Sequence, residues 1–244
     1  MNKILQRFSK ASKTYHDNAF VQKHMGERLH QLLPRKNFQN ILEIGCGSGS
    51  FSELLVKAYP QAHITLNDLS PQMLSICKSR FSSEFDYIEG DAQLLNFPAK
   101  YDLICSCACF QWFSDLEQGL NRLKKFLSAD GVLACAIFGF EHFHEIKSLC
   151  GVGLNYPKVS ELEAMLGALG FESNLEEENI LVHFKSVSAM LRHFKKTGIT
   201  ALSSQMWTRG RLLAFMEAYE RNYKYEAGIQ LSWNPVYAVC KVKS

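Results

Sequence analysis

The sequence predicts an α/β fold around a largely parallel sheet, and three observations carry that reading. Short apolar segments alternate with amphipathic ones from residue 40 to 139, a triple-glycine turn follows the first apolar segment, and acidic residues stand at the ends of successive ones. Strict alternation of strand and helix implies parallel pairing, right-handed crossovers and helices on both faces of the sheet.

The elements follow in order. Residues 3–33 read as helix in two pieces, separated near Tyr15 to Asn18, with Ile4, Leu5 and Phe8 and then Phe20, Val21, Met25, Leu29, Leu32 and Leu33 recurring every three to four positions. Strands are predicted at Asn40 to Ile44, Ala62 to Asn67, Phe85 to Glu89, Tyr101 to Ser106 and Gly131 to Phe138, and helices from Ser50, Pro71 and Asp115. A further helix opens at Ser160, with Glu163 completing a capping box, and stops at Gly170. Phe171 to Phe184 and Ile229 to Val242 read as two late strands, with helices at Ser188 to Lys196 and Thr208 to Tyr223 between them.

The chain has 244 residues, 47% hydrophobic and 21% charged, so it can bury a sizeable core and is neither disordered nor collagen-like. Its longest apolar stretches, Leu103 to Phe113 and Gly131 to Phe140, fall short of the ~20 residues a membrane span needs. The basic N-terminus lacks a continuous apolar core and a small-residue cleavage site, so no secretory signal is read and a cytoplasmic location is expected. Eight cysteines occur without a CxxC pair, which argues against zinc and a disulfide framework. Cys105, Cys107 and Cys109 alternate, and in a strand they would share one face as small buried side chains.

Net charge is +3 but unevenly spread: +6 over residues 1–40, −10 over 41–180 and +7 over 181–244. Basic ends folded to one side of an acidic middle would attract an acidic partner. Two solvated helical faces would produce the same pattern.

The most informative segment is Ile41-Leu-Glu-Ile-Gly-Cys-Gly-Ser-Gly-Ser50, where a strand runs into Gly45, Gly47 and Gly49 and then a helix. Glycines let a ligand press against the backbone at the helix N-terminus, as nucleotide-like cofactors do. A dinucleotide fingerprint would need its third glycine at position 50, which is Ser50. Glu43 just before the turn suits a ligand carrying ammonium and sulfonium charge and would repel pyrophosphate, so S-adenosylmethionine fits better than NAD. Asp68 at the next strand end can accept from ribose hydroxyls, Leu69 can pack on adenine, and Asp91 can accept from the adenine amino group. Each acid alone also reads as a helix cap or loop charge.

Glu43-x-Gly-x-Gly-x-Gly49, Asp68, Gly90-Asp91-Ala92 and Tyr101-Asp102 resemble the class I S-adenosylmethionine-dependent methyltransferases over residues 40–139. The resemblance implies a Rossmann-like seven-stranded sheet, mostly parallel with the last strand reversed, with N-terminal helices and a helical insert near the C-terminus. It implies one domain over 1–244, with residues 1–39 a helical lid, 40–140 the cofactor-binding core and 141–244 the remaining strands and insert. Cys46, Met73, Ala92 and Cys107 join the expected cofactor contacts.

Four further segments resemble the malonyl-acyl-carrier-protein O-methyltransferases of biotin synthesis: Arg7 to Tyr15 with Gln22 to Leu29; Phe110-Gln-Trp112 with Asp115-Leu116; Leu191 to Lys195 with Thr197 to Thr200; and Thr208-Arg209. Ser128-Ala-Asp130 and Cys107 depart from that pattern. The implied reaction methylates the free carboxylate of a malonyl thioester on acyl carrier protein or coenzyme A. Tyr15, Gln111 and Trp112 are then expected to orient that carboxylate and wall the site, and Lys195 or Arg209 to select its charge at the mouth. Lys3, Arg7, Lys10 and Lys13 are expected to dock the acidic carrier. Other readings are a methyltransferase for an aconitate-like acid and a cofactor-binding regulator without activity. The Pro-Pro-aromatic motif of nucleic-acid methyltransferases is missing after the fourth strand, and neither a metal nor nucleic acid is expected.

Overall fold

The computed structural model describes residues 14–81, 85–151, 155–198 and 208–243, so the expected docking residues Lys3, Arg7, Lys10 and Lys13 lie outside it. The described chain begins with a helical turn over residues 14–18 (α1) and continues as α2 (Phe20–Leu32). The break falls at Ala19, later than the Tyr15–Asn18 expected, because Asn18 Nδ2 donates back to the Thr14 carbonyl (2.7 Å) and keeps that polar run helical. On α2, Val21, Met25 and Leu29 recur every four residues and bury one face.

The described strands form two sheets. In the larger one β1 (Asn40–Ile44), β2 (His63–Asp68), β3 (Asp86–Glu89), β4 (Tyr101–Cys107), β5 (Leu127–Phe138), β6 (Phe171–Glu177) and β10 (Pro235–Val242) lie in the order β3-β2-β1-β4-β5-β10-β6. The first five are mutually parallel, and β10 runs antiparallel to both β5 and β6, as the reversed last strand was expected to do. The smaller sheet orders β7 (Ile180–Phe184), β9 (Gly228–Trp233) and β8 (Lys224–Tyr225).

Strand periodicity divides the core. Ile41, Leu103, Cys105 and Ala134 point to the face covered by α2, α3 (Ser50–Ala58) and α4 (Pro71–Arg80), while Leu42, Ile104, Leu133 and Cys135 point to α5 (Leu116–Lys124) and α7 (Val159–Ala168). Caps set the helix starts: Ser70 accepts from the Met73 amide and Asp115 from the Gln118 amide. The expected box at Ser160 is displaced. Val159 begins α7, and Glu161 accepts from the Lys158 amide (2.9 Å), which brings Val159, Leu162 and Leu166 onto one core face. The remaining helices are α6 (His144–Cys150), α8 (Val187–Thr197) and α9 (Arg209–Asn222), the last two capped by Ser186 and Thr208.

The two late strands are each broken, and their halves belong to different sheets. Asn234 makes the corner. Fully buried, it donates from Nδ2 to Glu177, Glu178 and Asn179 (3.0, 3.0 and 3.1 Å) and accepts from the Glu141 amide through Oδ1 (3.1 Å). Asn234→Ala removes four hydrogen bonds gathered on one buried side chain, so unfolding should become easier by ~3 kcal/mol, a fall in Tm of roughly 6–12 °C by calorimetry.

Candidate active site

Parallel strands of an open α/β sheet leave a crevice beyond their carboxyl ends. Here the ends of β1, β2, β3 and β4 open onto a cavity of about 400 Å³, a volume suited to a small ligand. Gly45 and Cys46 donate their amides to the Asn67 carbonyl (2.8 and 2.9 Å), which ties the glycine loop to the end of β2. Asn67 Nδ2 in turn donates to the Ile88 and Gly90 carbonyls, holding β3 alongside.

The loop needs glycine for two different reasons. At Gly45 (φ +72°) a Cβ would stand 2.3 Å from Cys109 Sγ, so the backbone packs where no side chain fits. At Gly47 (φ +55°) a Cβ would meet only the Tyr15 ring, at 4.0 Å, and would fill the gap between loop and ring. That gap is part of the cavity.

Asp68 bridges the loop to its own strand end, accepting from the Gly47 amide through one oxygen and from the Ser70 amide through the other (2.8 Å each). A carboxylate has about four lone-pair sites, so two remain for hydroxyl donors. Burial pushes its pKa up, against the opposing pull of the backbone amides of Ser70, Gly47 and Leu69. Asp91 accepts from the Gln93 amide and side chain (3.0 and 3.1 Å), and Gln93 Oε1 accepts from Ser114, joining the β3 loop to the segment after β4.

After β4 the chain turns sharply at Ala108 (φ +56°) into a 3₁₀ turn at Phe110–Trp112. Cys109 therefore leaves the strand and lines the cavity, instead of sharing a strand face with Cys105 and Cys107 as expected. Burial pushes the Cys107 and Cys109 thiols well up, so neither offers a thiolate. Gln111 Nε2 donates to the Ala108 carbonyl (2.8 Å), while its Oε1 is buried without a donor among the described residues.

Tyr15, Gly45, Gly47, Asp68, Leu69, Met73, Asp91, Ala92, Cys107, Gln111 and Trp112 all line this one cavity. Five expected residues do not. Glu43 lies beneath the loop, its carboxyl buried and accepting from Ser52 Oγ (2.6 Å), because it shares the strand face of Ile41, which is covered by α3. Burial raises its pKa to about 8. Cys46 turns down toward Cys77, Sγ to Sγ 3.6 Å, and Gly49 packs against the Phe81 ring. Lys195 sits exposed in the last turn of α8 and Arg209 exposed at the start of α9. The reading missed Asn67, Ser70, Gln93, Cys109, Phe113 and Ser114 among the lining. Asn67 precedes Asp68, and Ser70 and Gln93 come two positions after Asp68 and Asp91, so the strand-end rule widened to two residues on either side of each acid would have found them.

The glycine cradle, a carboxylate with free acceptor sites, the unpartnered Gln111 oxygen and the apolar Leu69, Met73 and Phe113 suit an adenosyl amino-acid cofactor. Residues 41–131 match the family model of a methyltransferase domain. The fold matches that of the solved YcgJ protein of Bacillus subtilis, with a TM-score of 0.67 and 14% identity over 91% of this chain and 99% of its own, and that of a solved protein of Bacillus halodurans described as a methyltransferase, with a TM-score of 0.65 and 15% identity over 90% of this chain and 99% of its own.

Sheet order, glycine loop and strand-end acids define a class I methyltransferase. The malonyl-[acyl-carrier protein] O-methyltransferase of Bacteroides helcogenes is 34% identical over 98% of both chains. That of Bacteroides fragilis is 36% identical over 98% of this chain, which spans 50% of that relative's length. The chain belongs to the malonyl-[acyl-carrier protein] O-methyltransferase family.

Proposed function

We propose that this protein transfers a methyl group from S-adenosylmethionine to the free carboxylate of malonyl-acyl carrier protein, or malonyl-coenzyme A, forming the methyl ester that starts pimeloyl formation in biotin synthesis. Kinship with enzymes of that name along almost the whole chain carries the reading. The chain acts as one unit, residues 1–39 covering the site, 40–140 holding the cofactor and 141–244 completing the sheet. We place it in the cytoplasm; none of the described helices is long and apolar enough to cross a membrane.

Bound in the cavity, S-adenosylmethionine supplies an electrophilic methyl group on a positively charged sulfur. The malonyl carboxylate, with a pKa near ~4, is already ionised at neutral pH and needs no general base. In keeping with this, no His, Lys or Arg is among the described lining residues. What the chain contributes is alignment and exclusion of water, because opposite charges neutralise as the methyl moves and a drier site lowers that barrier.

Tyr15, whose phenol burial holds protonated, donates to the carboxylate, and the second Nε2 hydrogen of Gln111 can do the same. Trp112 walls the site. Protonated Cys107 and Cys109 do not compete for the methyl group.

Purified protein with methyl-labelled S-adenosylmethionine should label malonyl-carrier in preference to free diacids such as aconitate, and its gene should rescue a biotin auxotroph lacking this step. Preference for the free diacid would replace the malonyl reading, and no turnover with any acid would leave the regulator. Docking of the acidic carrier by Lys3, Arg7, Lys10 and Lys13 should make kcat/KM on carrier-bound substrate fall severalfold between ~50 and ~300 mM salt. Lys195→Ala should raise KM for malonyl-carrier and leave KM for the methyl donor unchanged.

A further inference from the structure

Tyr15 reaches the cavity from α1, of which residues 14–18 are described. The next residue in the chain is tied to the end of the glycine loop, the start of α3 and the end of α4. His16 Nδ1 lies 3.2 Å from Ser50 Oγ and 3.4 Å from Ser48 Oγ, and Arg80 Nη1 approaches the same nitrogen at 3.2 Å. Arg80 also donates to the Ser48 carbonyl and pairs with Glu53 of α3 (2.9 Å), which fixes the guanidinium independently of His16. An arginine has only donors, so the ring nitrogen it faces accepts, its single lone pair taking a hydrogen from Arg80 or from one of the two serine hydroxyls. On the far side of α1, Thr14 Oγ1 donates to the Lys196 carbonyl at the end of α8 (2.8 Å).

We propose that His16 is a positioning residue: through Nδ1 it clamps α1 to the serines of the glycine loop and to Arg80, and so holds the Tyr15 ring across the cavity from Gly47. The methylation reading assigns His16 no part. The proposal rests on that reading only in taking the cavity to be the methyl donor's site. His16 itself is exposed, so its removal should cost the fold little.

Two measurements decide it. Hydrogen exchange on the ligand-free protein reads the clamp directly, because the Ala19 amide donates to the Tyr15 carbonyl and reports whether α1 stays folded. His16→Ala should speed exchange of the peptide spanning residues 14–19 at least fivefold with Tm unchanged. It should also weaken binding of S-adenosylhomocysteine by calorimetry at least fivefold. His16→Asn, whose Oδ1 stands where Nδ1 does, should restore both to within twofold. His16→Gln, which reaches only the Nε2 position, should not. Exchange at residues 14–19 unchanged in His16→Ala, or rescue by Gln rather than Asn, would overturn the clamp. If the natural protein bound no S-adenosylhomocysteine, the cofactor reading would fail while the exchange result still decided the clamp.

Discussion

Asp68→Ala is expected to weaken cofactor binding about 100-fold and to leave kcat on saturating donor much less affected. The carboxylate does two things at once: it ties the Gly47 and Ser70 amides together, and it keeps acceptor sites turned to the cavity. Hydrogen bonds to a charged group contribute about 1.5–3 kcal/mol, so losing two to the ligand is worth ~3 kcal/mol or more, and 1.4 kcal/mol is tenfold in affinity. Asp68→Asn should fall nearly as far, because its amide nitrogen must face one of two backbone N–H donors. Calorimetric titration with S-adenosylhomocysteine checks this, and a loss under fivefold would remove Asp68 from ligand recognition. Asp91→Asn should cost less, since Asp91 is bonded mainly to its neighbour Gln93.

A second large effect concerns Glu43 and pH. Its folded-state pKa of about 8 is far above the ordinary carboxylate value, first through burial and then through the nearby Asp68 charge, with the Ser52 hydroxyl pulling the other way. A carboxyl raised on folding contributes its full stability below the unfolded pKa near ~4.3, and that contribution is lost as pH rises through about 8. Within that window each pH unit costs up to ~1.4 kcal/mol, so this group should destabilise the ligand-free protein by ~4 kcal/mol between pH 5 and 9. Glu43→Gln keeps an acceptor for Ser52 Oγ and carries no charge, so its advantage in Tm over the natural protein should widen steadily over that range. A constant difference from pH 5 to 9 would show that Glu43 stays ionised in the fold.

Ligand binding should couple to the same group. A sulfonium cation near the loop favours the ionised carboxylate, so binding S-adenosylmethionine at pH 7.5 should release a proton, visible as buffer-dependent binding heats. S-adenosylhomocysteine, which lacks the sulfonium charge, should release less, and Glu43→Gln should abolish the difference.

Much of the architecture could be read from apolar periodicity. β1 and the starts of α3 and α4 fall where expected, because a buried strand and an amphipathic helix write different periods into the chain and Ser70 caps its helix locally. The late strands could not be read this way. Glu176 to Asn179 and Asn234-Pro235 mark the two breaks locally, but which sheet each half joins depends on Asn234 meeting Glu141 and Glu177 to Asn179, from 55 to 93 positions away.

The site divides similarly. Glu43 was placed at the ligand by its position before the glycines, whereas strand alternation from Ile41 already turns it under the sheet toward Ser52. Cys109 was read as strand because it continues an alternation, and only the turn at Ala108 carries it into the cavity.

By itself the sequence determined the order of strands and helices, the glycine turn and the acids at the strand ends, because each is set by residues adjacent in the chain. Tertiary structure alone decided that Tyr15, Gly47, Asp68, Asp91 and Gln111 share one cavity and that Glu43 does not. It also decided that His16 meets Arg80 across 64 positions. Such encounters depend on crossover direction and on which face of a strand or helix is covered, and no local pattern records either.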